Sequence, residues 1–374
     1  MNTLFLIFHG FEEYNGISKK ITYQVRALKN CGLSISICYL SDENNHKIRM
    51  IDNNVLKDYG CGIKGKILKR IENKSIVDYV KKNNIKFIYV RSDHNANPFT
   101  IHLMKQFKKL GTKVAMEIPT YPYDNEYQHA SKADKIKLCI DKIFRRSLSK
   151  YIDRFVTFTD YQTIFGRPTI KISNGIDFSQ IKTKSMVNDC SKVLNLIGVA
   201  QIHFWHGFDR LIIGLAEYYS AIHKKEVFFH IVGEGLDKDV LPLKSLVSQH
   251  NLSNNVIFHG YKSGDELDIL FEKCDMGVAS LARHRSKITK IKTLKNREYA
   301  ARGIPFIYSE KDEDFDNMPY IMKIAPDESP IDIKEIISFY DSVLFTPQEI
   351  RSSIENHLSW DCQMKKVVEQ INNM

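Results

Sequence analysis

Short apolar runs alternate with amphipathic stretches along the first half of the chain, and this alternation is the strongest constraint on the fold. The run Thr3–Phe8 predicts a first strand, and Ile21 and Val25 follow it at helical spacing. Leu33–Leu40 predicts a second strand and Phe87–Val90 a later one. Strands that alternate with helices in this way predict βαβ units around a parallel sheet, which is an α/β fold.

The same pattern restarts after a polar linker at residues 182–191, which predicts a second domain. Val193–Val199 and Val227–Val232 begin the new series of strands. A chain of 374 residues also exceeds the length of about 250–300 residues at which single hydrophobic cores stop growing. The predicted divisions are a first domain over residues 1–180, a second over residues 190–350 and a helical tail over residues 351–374.

Composition excludes several classes of protein. Hydrophobic residues make up 43% of the chain and charged residues 26%, which argues against a disordered or fibrous protein. The seven cysteines contain no C-x-x-C pair, which predicts reduced thiols in a cytoplasmic protein and no zinc site. Thr3–Phe8 is too short to cross a bilayer and lacks a basic segment before it, so we expect a strand there and not a signal peptide.

Positive charge is concentrated in the first half. Residues 1–178 hold 30 Lys and Arg against 17 Asp and Glu, a net +13, whereas residues 179–374 hold 24 against 27, a net −3. A basic half suggests nucleic acid or an anionic membrane surface, and a solvated lysine-rich face is the simpler alternative. No zinc-finger spacing, RNP-like aromatic motif or basic-zipper pattern supports nucleic acid.

One basic segment, residues 131–154, predicts an amphipathic helix. It holds eight Lys and Arg against three Asp, and Ile136, Ile140, Ile143 and Phe144 fall on one stripe, which Leu148 and Tyr151 extend. We expect the stripe to face inward and the cations to face outward. Such a helix is either an ordinary surface helix or a reversible contact with anionic lipid at the inner face of the plasma membrane.

The segment KITKIKTLKNREYAARGIPFI, residues 287–307, predicts a ligand site. A helix that opens at Thr293 to Lys295 would direct its unpaired backbone N–H groups and positive dipole end at an anion. Glu298, one turn later, could accept ribose hydroxyls. Gly303 ends the helix, and Pro305 prevents its continuation. A plain helix, loop and strand with a solvated glutamate is the alternative.

This segment resembles the donor-binding signature of the GT-B glycosyltransferases, in particular the family-four ("group 1") type of bacterial surface-polysaccharide synthesis. The closest branch reads HR…LK.REY.A.G.P, which matches His284-Arg285, Leu294-Lys295, Arg297-Glu298-Tyr299 and the following Ala, Gly and Pro. The resemblance implies two Rossmann-like domains with a cleft between them. It also implies a last helix that crosses back to the first domain near Leu358-Ser359-Trp360.

The resemblance implies donor-binding residues as well. Lys295, Glu298 and Arg285 are the predicted catalytic residues, with Glu298 on the ribose and the two cations on the departing diphosphate. The remaining predicted donor contacts are Asn15, Gly16, Gly233, Gly235, Tyr261, Arg283 and His284.

Two positions depart from the family pattern. An Arg and a Lys usually follow the first strand of the second domain and hold the diphosphate, but Gln201 and His206 stand there in this chain. The family also has two glutamates separated by seven residues, and Lys290 replaces the earlier one. The loss of these cations makes Arg283, His284, Arg285 and Lys295 the candidates to compensate the phosphates.

A sugar acceptor is predicted in the first domain, at the carboxyl ends of its strands. The predicted contacts are Arg91, Glu117, Tyr121 and Asp124, because tyrosine rings pack on sugar faces and carboxylates accept hydroxyl hydrogen bonds. A loop of Tyr and Pro that only packs is the alternative.

The resemblance therefore implies a retaining GT-B hexosyltransferase, and we expect it to need no metal or cofactor. Its donor is expected to be a UDP- or GDP-linked sugar and its acceptor a lipid-linked or saccharide chain of a capsule, O-antigen or exopolysaccharide. A catalytically inactive GT-B binding module is the alternative, since Lys290 replaces a family glutamate. Nucleic-acid binding, a sugar-nucleotide epimerase and a phosphorylase are further alternatives.

Overall fold

A computed structural model describes residues 1–11, 16–127, 130–185 and 190–374. The chain forms two compact units. The first comprises Met1–Ser173 together with Trp360–Met374, and the second comprises Asn174–Ser359. The division therefore falls earlier than the predicted residue 180, and the helix that starts at Pro347 belongs to the second unit. Only the last 15 residues return to the first unit.

The first unit is built on a nine-stranded sheet of order β4-β3-β2-β1-β5-β6-β7-β9-β8. The six strands from β2 to β9 in this order pair in parallel, as the alternation predicts, and antiparallel strands extend both edges. The strands are β1 (Asn2–Gly10), β2 (Ser34–Glu43), β3 (His46–Ile51), β4 (Asn54–Asp58), β5 (Phe87–Arg91), β6 (Lys113–Ile118), β7 (Arg154–Thr157), β8 (Thr163–Ile164) and β9 (Arg167–Lys171).

Helices cover both faces of this sheet. The helices are α1 (Gly16–Asn30), α2 (Gly62–Ile71), α3 (Lys74–Lys82), α4 (Pro98–Lys109), α5 (Lys132–Ser149) and the C-terminal α12 (Trp360–Asn372). On one face α1 and α12 share a core that includes Ile21, Leu28, Trp360 and Met364. On the other face α3, α4 and α5 share a second core. The predicted return of the last helix to the first domain is therefore present as α12.

The inward orientation predicted for α5 is wrong for its three isoleucines, whereas Leu148 is buried and Phe144 and Tyr151 pack against the core as predicted. Ile136, Ile140 and Ile143 are exposed, and the buried positions of the helix include Leu138, Asp141 and Leu148. Asp141 is held inside because its carboxylate accepts a hydrogen bond of 2.6 Å from the Tyr123 hydroxyl and one of 3.0 Å from the Ala96 backbone N–H. None of the described helices is both long and apolar enough to cross a membrane.

The second unit contains a six-stranded parallel sheet of order β12-β11-β10-β13-β14-β15. This is the doubly wound order of Rossmann-like domains, which bind ligands at the carboxyl ends of the strands where the order reverses. That point lies between β10 and β13. The strands are β10 (Val193–Val199), β11 (Glu226–Val232), β12 (Val256–Gly260), β13 (Met276–Val278), β14 (Phe306–Tyr308) and β15 (Ile321–Lys323).

Two helical layers enclose this second sheet. The helices are α6 (Phe208–Tyr219), α7 (Asp237–Gln249), α8 (Gly264–Lys273), α9 (Leu294–Arg302), α10 (Ile333–Ser342) and α11 (Pro347–Leu358). One core joins α6, α7 and α10 to the sheet, and another joins α8, α9 and α11. Gly214 allows α6 to pack closely, since a Cβ atom there would lie 1.9 Å from the Ile331 backbone oxygen.

Gly214→Ala is therefore expected to destabilise the second unit, although alanine is usually the better helix former. The added methyl group would meet backbone that cannot rotate away, so we expect the free energy of unfolding to fall by about 1–3 kcal/mol. Denaturant unfolding measures the change. Glu217→Ala on the exposed side of the same helix is the control, with a change within about 0.5 kcal/mol. A stabilised Gly214→Ala protein would contradict the packing described.

Candidate functional site

The loops that follow β10 and β13 pack backbone to backbone at the point where the strand order reverses. Gly207 makes this possible, because it has a φ of 65° and a Cβ atom there would lie 2.8 Å from the Cβ of Ala282. The Leu281 N–H donates a hydrogen bond of 2.9 Å to the His206 carbonyl. The side chains of His206 and Arg283 are thereby brought to one edge of the sheet.

Two residues of the Arg297-Glu298-Tyr299 motif fix α9 at this edge. The buried guanidinium of Arg297 donates to the Thr293 and Asn174 carbonyls at 2.8 Å and to Asp312 at 2.7 Å. The Tyr299 hydroxyl donates to the Val278 carbonyl at 3.0 Å and accepts from the Val199 N–H at 3.1 Å. The first turn of α9, which carries Lys295, is thus tied to the ends of β10 and β13.

Three charged side chains at this edge have buried atoms without hydrogen-bond partners among the described residues. They are Lys295 at its Nζ, Arg283 at its Nε and Glu310 at both carboxylate oxygens. Lys295 as a whole is partly exposed, but its amino group is buried. The Arg283 guanidinium lies 5.4 Å from the centre of the Trp205 ring. We call Lys295, Arg283 and Glu310 the charged cluster.

The charged cluster has strongly perturbed acid–base properties. Burial, and then the charge of Arg283, lowers the pKa of Lys295 to about 7. Burial raises the pKa of Glu310 to about 7, and burial also lowers the pKa of Arg283. Groups that are buried, charged and unpaired cost free energy, and such groups are concentrated at functional sites.

His206 is a neutral member of the same edge. Burial is the main reason that its pKa lies far below the ordinary histidine value, and the charges of Lys295 and Arg283 lower it further. Its Nδ1 accepts a hydrogen bond of 3.0 Å from the His203 backbone N–H. The proton of the neutral ring is therefore on Nε2, which makes that atom a donor.

Further polar atoms near the start of α9 lack partners among the described residues. They are the Thr293 and Ser280 hydroxyl oxygens and the Asn296 side-chain carbonyl. Thr293 is the N-cap residue of α9, and its side chain accepts no capping hydrogen bond from the described residues. The opening of this helix therefore has buried side-chain polar atoms that a polar ligand could pair with.

Arg285, in contrast, is committed to protein partners. Its Nη1 donates to the Phe204 carbonyl and to Asp209, both at 2.9 Å. Its Nη2 donates to Asp209 at 2.7 Å and to Glu328, and its Nε donates to Glu328 at 3.0 Å. All five guanidinium donors are used, which leaves Arg285 no unpaired donor for the predicted diphosphate contact. The distant partners Asp209 and Glu328 gave no signal in the sequence.

Among the other residues predicted to contact the donor, Glu298 and His284 have protein partners, whereas Tyr261 is exposed. Glu298 is partly buried, and its Oε1 accepts hydrogen bonds from Arg302 at 3.1 Å. His284 Nε2 lies 2.6 Å from Glu328, whereas its Nδ1 is buried without a described partner. Tyr261 follows β12 and is 63% exposed.

Gly233 and Gly235 serve close packing. A Cβ atom at Gly233 would lie 1.8 Å from the Ala200 carbonyl oxygen, and one at Gly235 would lie 2.5 Å from the Ile202 carbonyl oxygen. These two glycines therefore allow the loop after β11 to pack closely on the loop after β10. Asn15 lies outside the described residues, and Gly16 is the first residue of α1.

Two of the predicted acceptor residues are enclosed in a buried network of the first unit. The Glu117 carboxylate accepts hydrogen bonds from Gln24, Tyr89 and Arg91, each at 2.6 Å, and Lys20 lies 3.5 Å away. Burial alone would raise the pKa of Glu117, but Lys20 and Arg91 outweigh it and hold the pKa below its ordinary value. This network explains Glu117 and Arg91 as structural residues and leaves Glu117 no exposed surface.

Tyr121 and Asp124 lie near a different feature. Tyr121 lines a cavity of about 460 Å³ together with Arg145, Arg146 and Phe165. Asp124 accepts a hydrogen bond of 2.7 Å from Arg145 and lies 3.3 Å from Lys142. The four predicted acceptor residues are therefore not gathered at one point: Arg91 and Glu117 are buried, whereas Tyr121 and Asp124 are partly exposed.

Lys295→Met is expected to stabilise the protein without ligand, because it replaces an unpaired buried charge with an apolar side chain. The lowered pKa of Lys295 reflects the cost of this charge, so we expect the free energy of unfolding to rise by about 1–4 kcal/mol at a pH where the amino group is charged. The folded-state pKa of about 7 lies below the value of about 10.4 for unfolded lysine. The folded state therefore bears the full cost below pH 7, and that cost fades as the pH rises to about 10.

Denaturant unfolding at pH 6 and pH 9 should accordingly show the larger gain at pH 6. The exposed Lys238 provides the control, since Lys238→Met should change stability by less than about 0.5 kcal/mol. A Lys295→Met protein that is less stable at both pH values would show that Lys295 supports the fold.

Residues 191–311 match the family model of glycosyl transferases group 1. No curated protein sequence matches the chain. Among solved structures, HepE of Anabaena in complex with UDP is 14% identical, with a TM-score of 0.66 and 100% of both chains covered. Sucrose-phosphate synthase of Thermosynechococcus elongatus is 14% identical, with a TM-score of 0.67 and 100% of this chain and 98% of that chain covered. The lipopolysaccharide outer core galactosyltransferase WaaB is 13% identical, with a TM-score of 0.61 and 100% of this chain and 99% of that chain covered.

The matched region begins just before β10 and ends just after Glu310, so it contains the whole charged cluster together with Glu298. The structural likeness extends over the full chain at low identity and establishes the fold. The chain thus has the GT-B fold that the sequence resemblance implied, and the match to the model of group 1 glycosyl transferases lies within its second unit.

Proposed function

We propose that the protein transfers a hexose from a nucleoside diphosphate sugar to an acceptor, with retention at the sugar and without a metal ion. The charged cluster beside the opening of α9 is the observation that carries the proposal. A nucleoside diphosphate sugar offers phosphate oxygens to unpaired cations and hydroxyl groups to an unpaired carboxylate, so one ligand of this class would satisfy the whole cluster. HepE is described in complex with UDP and with UDP-glucose, which favours a UDP-linked donor.

In this proposal Lys295 and Arg283 hold the diphosphate. Both replace the cations that the family usually has at the positions of Gln201 and His206. As the bond to the sugar breaks, negative charge grows on the departing diphosphate, and fixed cations in a dry site stabilise it strongly. His206 Nε2 and the first N–H groups of α9 add neutral donors. Glu298, oriented by Arg302, accepts the ribose hydroxyls.

Glu310 is proposed to contact the transferred sugar. The family's earlier glutamate is replaced by Lys290, and a backbone bridge pairs Lys290 with Lys311. Glu310 precedes Lys311 in the chain, so it lies close to Lys290, the position at which the family has its earlier glutamate. Its buried, unpaired carboxylate can accept two sugar hydroxyls where the family glutamate is missing.

The acceptor is proposed to be a lipid-linked or saccharide chain in the assembly of a surface polysaccharide. The likeness to WaaB, which is described as a lipopolysaccharide galactosyltransferase, favours this class. Tyr121 beside its cavity is the proposed sugar contact in the first unit. A cytoplasmic location, where nucleotide sugars are made, fits the reduced cysteines predicted from the sequence.

A catalytically inactive binding module is the second candidate, because Lys290 stands at the position of a family glutamate. Turnover separates the two candidates. Slow hydrolysis of a nucleotide sugar by the purified protein, lost in Lys295→Ala, would support an enzyme. Binding without hydrolysis or transfer would support the module.

Arg283→Ala and Lys295→Ala are each expected to weaken binding of a nucleoside diphosphate about tenfold or more, because each removes a charge-assisted hydrogen bond worth about 1.5–3 kcal/mol. Binding of the free nucleoside should hardly change. Calorimetry with UDP, GDP and ADP, each beside its nucleoside, measures both quantities.

Arg285→Ala is the matched control from the same loop. It should lower thermal stability, since Asp209 and Glu328 lose their partner, and leave diphosphate affinity of the folded protein unchanged. If Arg285→Ala loses the diphosphate and Arg283→Ala retains it, the assignment of the two arginines is reversed.

Glu310→Gln is expected to change two affinities in opposite directions. Removing the negative charge beside Lys295 and Arg283 should leave the affinity for UDP unchanged or raise it. The affinity for UDP-glucose relative to UDP should fall about tenfold, because a charged hydrogen-bond acceptor is lost. The pairs GDP with GDP-mannose and ADP with ADP-glucose are measured in parallel. An unchanged ratio in every pair would remove Glu310 from the sugar site.

A further inference from the structure

The Glu298 carboxylate uses one of its two oxygens for protein contacts. Arg302, one turn later on α9, donates a hydrogen bond of 3.1 Å from Nε to Oε1, and its Nη2 lies 3.1 Å from the same atom. In the described part of the chain no group donates a hydrogen bond to Oε2. Arginine and carboxylate frequently form two parallel bonds, one to each oxygen. This pair departs from that geometry and leaves one oxygen of Glu298 open.

A second carboxylate explains the position of the guanidinium. Asp268 on α8 accepts a hydrogen bond of 2.8 Å from Nη1 of Arg302. Phe271, also on α8, has its ring centre 4.0 Å from the guanidinium carbon of Arg302. The Arg302 side chain is only 5% exposed, so these two contacts leave it little room to shift. Asp268 therefore holds the guanidinium toward α8, where Nε and Nη2 both face the same Glu298 oxygen.

Lys182 in turn helps to keep Asp268 charged. Its amino group lies 3.1 Å from Asp268 and donates a hydrogen bond of 2.8 Å to Asp265. Burial alone would raise the pKa of Asp268, but the hydrogen bonds from Arg302 and Lys182 outweigh burial and hold the pKa below its ordinary value. Asp268 is therefore ionised at neutral pH, and it competes with Glu298 for the charge of Arg302.

Removal of Asp268 would change how Arg302 binds Glu298. Nη1 of Arg302 would lose its acceptor, and the guanidinium would be free to move toward Glu298 until Nη2 bonds to Oε2. Both oxygens of Glu298 would then accept hydrogen bonds from arginine, which leaves fewer lone pairs for another donor. The two carboxylates on one guanidinium thus decide whether Oε2 stays open.

We propose that Asp268 is a positioning residue for the ribose of the donor: by holding Arg302, it keeps Glu298 Oε2 open to the ribose hydroxyl groups. The inference rests on the proposed function, in which Glu298 accepts those hydroxyls. Asp268 acts through Arg302, so its loss weakens the selection for ribose hydroxyls and leaves the diphosphate contacts of Lys295 and Arg283 in place.

The test compares UDP with 2′,3′-dideoxy-UDP by calorimetry, and GDP and ADP are measured beside their dideoxy forms in the same way. Wild type should bind the ribose form at least about tenfold more tightly, because the dideoxy form lacks the hydroxyl groups that the Glu298 carboxylate accepts. Asp268→Leu should lower this ratio of affinities at least about fivefold, while the affinity for the dideoxy form stays within about twofold of wild type. Asp268→Asn, which keeps the size of the side chain, should lower the ratio in the same sense by about threefold.

Asp265→Leu is the matched control on the same helix. Asp265 also pairs with Lys182, but its side chain is 88% exposed and does not contact Arg302, so the ratio should remain that of wild type. A double-mutant cycle tests the route through Arg302. Once Arg302→Met has removed the guanidinium, adding Asp268→Leu should change the ratio by less than about twofold, because the two residues act as one unit.

Turnover gives a second readout. The KM for the nucleotide sugar should rise in Asp268→Leu by about the factor lost in ribose binding, with kcat unchanged, since the ribose contact is the same in the ground state and the transition state.

The possible failures are distinguishable. Wild type that binds the ribose and dideoxy forms equally would remove the ribose role of Glu298 itself, and with it this inference. A wild-type preference that persists in both Asp268 variants overturns the inference alone. An equal loss of affinity for both forms in these variants would show that Asp268 only supports the fold, and it would also overturn the inference.

Discussion

The buried guanidinium of Arg297 is the interaction on which the site depends. Its five donors all have acceptors: the Asn174 and Thr293 carbonyls, two bonds to Asp312 and one to Asp314. A buried charge in a low dielectric is tolerated when every donor is satisfied and is very costly when one partner is lost. These bonds of Arg297 join the start of the second unit, the first turn of α9 and the segment after β14. Lys295 and Glu310, on two of these elements, owe their positions to it.

The three neighbouring residues of the motif Arg297-Glu298-Tyr299 have different structural roles. Arg297 fixes the first turn of α9 through its buried guanidinium. Tyr299 attaches the same helix to the ends of β10 and β13, and Gly277 leaves room for the Tyr299 ring. Glu298 is left on the outward side with Arg302 one turn later. The sequence showed the three residues together, but their separate roles follow only from the partners that the fold supplies.

Local patterns predicted much of the fold and less of the site. Alternation predicted the parallel strands and the restart at β10, because period and punctuation are local properties. The inward side of α5 could not be predicted this way. Two sets of residues at helical spacing compete there, and the winning set contains Asp141, whose burial depends on Tyr123 and Ala96. Hydropathy counts Asp141 as a surface residue and so selects the wrong side.

The same limit explains the two arginines of the loop after β13. Arg283 and Arg285 are equivalent in sequence, since both follow the end of β13. Their difference arises from Asp209 and Glu328, which are distant along the chain and saturate only Arg285. Glu117 is a parallel case, since a carboxylate at a strand end predicts a ligand contact until Gln24, Tyr89 and Arg91 converge on it. Ion pairing between elements decides which charged groups remain open to a ligand.

The second unit therefore combines two opposite treatments of buried charge within one helix turn. Every donor of Arg297 is paired, whereas the amino group of Lys295, two residues earlier, has no hydrogen-bond partner in the described part of the chain and a pKa of about 7. The bonds of Arg297 to Asp312 and Asp314 hold the first turn of α9 in place, and with it the Lys295 amino group. A lysine on a mobile segment would turn its amino group outward to water. The unpaired charge of Lys295 destabilises the fold, and the paired charge of Arg297 offsets that cost. This pattern is expected where a fold keeps a buried charge available to an anionic ligand.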